Sequence, residues 1–100
     1  MNAKNQSLQF VLDELLSEHK TPDQAPLYYL SNLEAEEAER VREAWAELRT
    51  SVRLELTSRL VKMAEADFTL NFGAVFRMAM EDEDARERKA AIEGLWEDED

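Results

Sequence analysis

Cysteine is absent from this chain of 100 residues, and glycine and proline occur only twice each. Without thiols there is no disulfide, no thiolate nucleophile and no zinc site built on sulfur. With so little glycine there is neither a phosphate-cradling loop nor a Gly-x-Ser-x-Gly elbow. Histidine occurs once, as His19, and its neighbours at i−3 and i−4 are Leu16 and Leu15, so no HExxH or ExxH pattern exists to build a metal site. Ser17, two residues before it, lies on a different helical face. Long apolar runs are missing too. The longest stretch free of charge, residues 24–33, is ten residues, too short to span a bilayer, and the opening MNAKNQSLQF lacks the apolar core and small-residue cleavage site of a signal peptide. Positive charge is scarce: 12 basic residues face 23 acidic ones, a net charge of −11, of which −7 falls within residues 67–100. Such a surface repels phosphate backbones and anionic lipid, so neither nucleic acid nor membrane is expected to be met by this segment. The reading is of a cytoplasmic protein with no cofactor.

What remains is rich in apolar (44%) and charged (35%) side chains, a mixture suited to amphipathic helices in a single domain. Leu8, Val11, Leu12, Leu15, Leu16 and His19 recur at i, i+3, i+4, i+7, i+8 and i+11, which predicts a first helix over about 5–19 with one buried stripe. Thr21-Pro22 suits a stop and restart, and Pro26 opens or kinks a short helical piece, PLYYLSN. A helix over 34–48 follows, begun by acids that favour the positive end of its dipole, with Ala38, Val41, Trp45 and Leu48 inside. Thr50 can cap a helix over 50–66, in which Val52, Leu56, Leu60, Met63 and Ala64 keep the period while Leu54 and Val61 widen the apolar arc. DFTLNFGA is a break, with Phe68, Phe72 and Phe76 around it. Short helices over 72–80 and 84–96 complete the pattern.

The run EDED occurs at 81–84 and again at 97–100, sixteen residues apart. Asp84 can accept backbone hydrogen bonds as an N-cap, and Glu87, three residues on, can reach back to complete an acid-led capping box. Two helix-initiating acidic loops separated by one helix imply a two-helix unit of roughly thirty residues, within the periods of helical solenoids. Asp82, Asp84, Glu87-Arg88, Ala90-Ala91-Ile92 and Gly94-Leu95 resemble the second-helix signature of a HEAT repeat of the bacterial, phycobilisome-lyase-like kind, with FGAVFRMAM as the first helix of the pair. Glu87 stands where that pattern has Val, and Glu83 and Ala85 stand where Pro is frequent. The resemblance implies an all-α fold of antiparallel helical hairpins that begins a right-handed HEAT-like α-solenoid, with 1–66 as an N-terminal leader or cap and 67–100 as the first helix pair and connector. It also gives Asp82, Asp84, Arg88, Ala91 and Leu95 structural roles in the repeat, Arg88 and the turn aspartates supporting one another. The final EDED then reads as a connector to a further repeat, and the chain as the N-terminal part of a longer protein; the alternative is a solvated acidic tail that ends a complete small domain.

No catalytic constellation is apparent. A calcium loop starting at Asp82 fails because Arg86 falls where the fifth position needs an oxygen, and Glu87 where the sixth needs glycine. Arg40, Arg42, Arg49, Arg53, Arg59 and Lys62 form the one basic concentration. Glutamates at i−4 or i−3 of Arg40, Arg42 and Arg59 make it a salt-laced solvent face. Recognition falls to apolar side chains: Tyr28 and Tyr29, of which one ring is expected inside and one partly out, and Ile92, Leu95 and Trp96 at the flank where a neighbouring repeat, or a second copy of the chain, would stack. The functional expectation is a protein-binding scaffold without catalysis. The alternatives are an accessory subunit of an enzyme system, of bilin-lyase or HEAT-type DNA-repair kind, and a self-contained helical dimer.

Overall fold

The computed structural model describes residues 3–18 and 24–98, with side chains described over 7–17 and 25–95. His19 and Thr21-Pro22 lie outside the described residues, as does the side chain of Trp96. Six α-helices and one 3-10 turn make up the described chain: α1 (Ala3–Glu18), α2 (Gln24–Leu27), the 3-10 turn (Tyr28–Leu30), α3 (Ala35–Glu47), α4 (Thr50–Ala66), α5 (Gly73–Met80) and α6 (Ala85–Asp98). α6 therefore runs two residues past Trp96 into the second acidic run, rather than ending before it.

Each helix forms where its apolar period can be buried. On α1, Leu8, Val11, Leu12 and Leu15 are enclosed, as their spacing requires. α3 begins with a reciprocal capping box between Glu34 and Glu37, the Glu37 carboxylate accepting the Glu34 N–H at 2.9 Å; Val41, Trp45 and the following Leu48 then face inward. α4 buries Val52, Leu56, Leu60 and Met63 on one side, with Val61 and Thr57 extending the arc, so that the helix meets neighbours on two sides. Its N-cap is Arg49, not Thr50: the threonine is the first helical residue, and its hydroxyl accepts a hydrogen bond from Arg53 Nη2 at 3.2 Å.

α6 lies mainly on α4 and α5, while α3 connects α1 to α5. The α5–α6 approach is close because position 94 is glycine: a Cβ there would stand 2.5–2.7 Å from three ring carbons of Phe76. Phe76 in turn meets Phe72 edge-on, with ring centroids 6.3 Å apart. The loops are tied across the molecule as well. Asn32 adopts φ 56°, a left-handed conformation that asparagine tolerates better than most residues. Its N–H donates to the Asn71 carbonyl at 2.8 Å, while the Asn71 N–H donates to Ser31 Oγ at 2.9 Å. The radius of gyration is 12.3 Å, against about 13 Å for a compact domain of this length, so the helices share one core.

Candidate functional site

The turn between α5 and α6 draws together side chains from three helices. Asp82 is at its centre, with its side chain almost fully enclosed. One carboxylate oxygen, Oδ1, accepts the Asp84 N–H at 2.9 Å. The other, Oδ2, accepts the indole N–H of Trp45, from α3, at 3.3 Å, and lies 3.0 Å from Nε of Arg53, from α4. That last contact is an ion pair without hydrogen-bond alignment, since Arg53 Nε has no hydrogen-bond partner. Arg88 closes the turn from outside, donating through Nη1 to the backbone carbonyls of Asp82 at 2.7 Å and Glu83 at 3.0 Å. Arg88 thus engages the backbone of the turn and not its carboxylates.

Asp84 does cap α6: its Oδ1 accepts the Arg86 N–H at 2.8 Å, and its Oδ2 lies 2.9 Å from Arg86 Nη2. The hydrogen bond from the Arg86 side chain, with help from the backbone N–H, holds the Asp84 carboxyl down to about 2. The capping box, however, is not completed. Glu87 turns inward, is 0% exposed, and accepts a short hydrogen bond from the hydroxyl of Thr57 on α4 through Oε1. Its Oε2 has no hydrogen-bond partner. Burial drives the Glu87 pKa up to about 7, against the lowering effect of the Thr57 hydrogen bond; Asp82 raises it further and Arg53 lowers it. Burial disfavours the charged form of this carboxyl because an ionised one would be inadequately solvated.

The basic concentration on α3 and α4 is not one solvent face. Arg59 pairs with Glu55 at 3.2 Å as its spacing suggests, and Arg59, Lys62, Leu27, Met63 and Ala66 line an open cleft of about 250 Å³. Arg53, by contrast, is mostly buried with Asp82. Arg42 reaches Glu81 at 3.1 Å, and Arg40 donates to Gln9 of α1. Sequence spacing suggests local partners for Arg40, Arg42 and Arg59; in the fold Arg40, Arg42 and Arg53 serve contacts between elements.

The apolar surface lies elsewhere. Tyr28 and Tyr29 are both exposed, at 42% and 41%, instead of one ring turning in. A 3-10 turn places i and i+3 on one side, so Leu27 and Leu30 take the inward positions and both tyrosines face out. Tyr29 shares a shallow groove of about 370 Å³ with Ser7, Phe10, Ala25 and Pro26, and Phe10 is 53% exposed. A second depression beside it is lined by Phe10, Asp13, Glu14 and Ser17. Phe10 therefore stands between an aromatic ledge and an acidic edge. The apolar period of α1 points to its buried stripe, to which Phe10 does not belong. The signal is there: Ser7, Phe10, Asp13, Glu14 and Ser17 occupy one helical face, and among these five the phenylalanine alone is apolar. On α6, Ala91 is buried, Leu95 is half-buried and Ile92 is 52% exposed.

Among the described residues no cluster of three metal-ligating side chains occurs, and no helix is long and apolar enough to cross a membrane. Compared with protein-family models, curated proteins and solved structures, the chain matches none.

Proposed function

We propose that this chain is a helical protein-interaction module that works by docking and not by catalysis, and that its α5–α6 pair is a HEAT-like unit. The observation that carries the reading is the ledge on which Phe10 and Tyr29, both about half exposed, line one groove. Aromatic side chains are enriched at protein interfaces, and tyrosine is enriched among the residues that anchor them. The partner that fits is a protein segment with an apolar side chain for the groove and basic residues around it. Asp13 and Glu14 edge the ledge, and the net charge of −11 favours approach of such a segment.

A second reading comes from Ile92, held outward on α6 while Ala91 beside it is buried. In a HEAT-like arrangement that outward face would receive a neighbouring helix pair or a second copy. The close seat of Gly94 against Phe76 and the tethering of the turn through Asp82 support α5–α6 as a unit fit for stacking. The two readings differ in where a bound partner leaves its footprint, on the ledge or on α6.

The ledge is tested with a defined probe, a fluorescently labelled helical peptide of leucine and lysine. Binding followed by anisotropy is expected to weaken about tenfold on Phe10→Ala and on Tyr29→Ala, the loss typical of an aromatic anchor, and to leave helicity unchanged. Peptide affinity indifferent to both substitutions overturns the ledge as the docking site.

A further inference from the structure

Glu87 is used by nothing in the docking reading, yet it is the most unusual group in the molecule. It lies on the first turns of α6, facing α4, and is wholly enclosed. A carboxylate at that depth normally has a cation or several donors; Glu87 has one hydroxyl, from Thr57, and its Oε2 has none. The surrounding charges are all accounted for. From α4 the near cation is Arg53, whose Nε lies 3.0 Å from Asp82 and which is thereby already paired. The remaining charged residues of α4, namely Glu55, Arg59, Lys62 and Glu65, are exposed. Of the four carboxylates in the α5–α6 turn, Glu81 and Glu83 are exposed, and Asp82 and Asp84 both oppose a negative charge on Glu87. From α5 the sole charged residue, Arg77, is exposed, and the inward residues Val75, Phe76, Met78 and Ala79 are apolar. On α6 itself, Arg86 is taken by Asp84 and Arg88 by the turn carbonyls.

We propose that the α4–α6 contact is a proton-operated clasp, in which Glu87 closes the seam as a neutral carboxylic acid joined to Thr57 and loosens α6 from α4 when it ionises. The step is a simple proton exchange with solvent. Neutral Glu87 has a hydroxyl and a carbonyl to share with Thr57, and a neutral oxygen left without a donor costs far less than a charged one. After ionisation the carboxylate is opposed by Asp82 and Asp84 and has only the Thr57 hydroxyl and the charge of Arg53, already shared with Asp82, in its favour; fuller relief comes from water, which requires α6 to lift. Because α6 carries Ile92, the clasp would set how firmly that outward face is held.

The sign follows from linkage. Burial raises the folded-state value to about 7, whereas an unperturbed glutamate titrates near 4.3, so between those values the folded protein binds the extra proton. Stability from this group is complete at the acid end of that window, falls as pH rises through it, and levels off above about 7. The folding constant should drop by up to about tenfold per pH unit within it.

The experiment compares thermal unfolding of the intact chain with that of Glu87→Gln from pH 5 to pH 8. The expected result is a parent midpoint that falls with pH against a flatter Glu87→Gln profile, the variant becoming the more stable protein at pH 8. Any other group that titrates in this range is common to both chains and cancels in the difference. Parallel profiles overturn the clasp. Should Glu87→Gln fail to fold, the carboxyl carbon of Glu87 is titrated by NMR in the unaltered protein, alongside α6 amide exchange corrected for intrinsic rate. Titration near 7 with α6 protection lost above it is expected, and titration in the ordinary glutamate range, or protection unchanged across pH, overturns the proposal.

Discussion

Three groups from different parts of the fold converge on the Asp82 carboxylate: the Trp45 indole, the Arg53 guanidinium and the Asp84 N–H. Removing one partner of a buried ion pair leaves the other charge uncompensated, at a cost of about 3–5 kcal/mol. Asp82→Ala is therefore expected to lower the stability measured by urea unfolding by about 3 kcal/mol or more, and Arg53→Met in the same chain should recover part of the loss. A loss below about 1 kcal/mol, the worth of an exposed pair, contradicts the role given to Asp82. Little of this convergence could be read from the sequence. Arg53 has no acidic residue four positions away on its own helix, but it stands among arginines that have, so its surroundings in the sequence suggest the solvent face; its partner is 29 positions later. Glu87 follows Asp84 at capping-box spacing, and nothing local reveals that Thr57, thirty positions earlier, offers its carboxyl a place inside.

The helices themselves were legible, because burial obeys the 3.6-residue period that the apolar residues of α1, α3 and α4 already display. The exceptions have local causes. Tyr28 and Tyr29 follow a three-residue turn and not α-helical spacing, and the acidic run that suggests an end to α6 after Trp96 in fact continues the helix to Asp98. Helix pairing is less visible in sequence, and Gly94 is the residue that fixes it for α5 and α6. Ala ordinarily stabilises a helix interior by about 1 kcal/mol over Gly, so the sign of Gly94→Ala is diagnostic. With Phe76 buried and its ring within 2.5–2.7 Å of the added carbon, overpacking should prevail and the variant should lose about 1–3 kcal/mol in thermal or urea unfolding. A gain would mean that the two helices do not approach so closely.

Charge is distributed so that the far end of the chain is the most acidic, −7 over residues 67–100, although α6 presents Arg86, Arg88 and Lys89 in its first turns. That composition was legible as a preference about partners, and the ledge was legible only in part: Tyr28 and Tyr29 were singled out, while the groove depends on Phe10 packing beside Tyr29 and Pro26 across the connection from α1. No pattern within one helix announces a groove shared by two. If docking on this ledge is what the chain does, the footprint of a basic amphipathic peptide must fall there. The decisive measurement is an amide NMR titration with the leucine–lysine peptide at low and at moderate salt. The account predicts shifts concentrated at Phe10, Asp13, Glu14, Ala25 and Tyr29, weakening as salt screens the acidic edge. Shifts concentrated around Ile92 on α6, or spread over the acidic surface without a focus on the ledge, would contradict it.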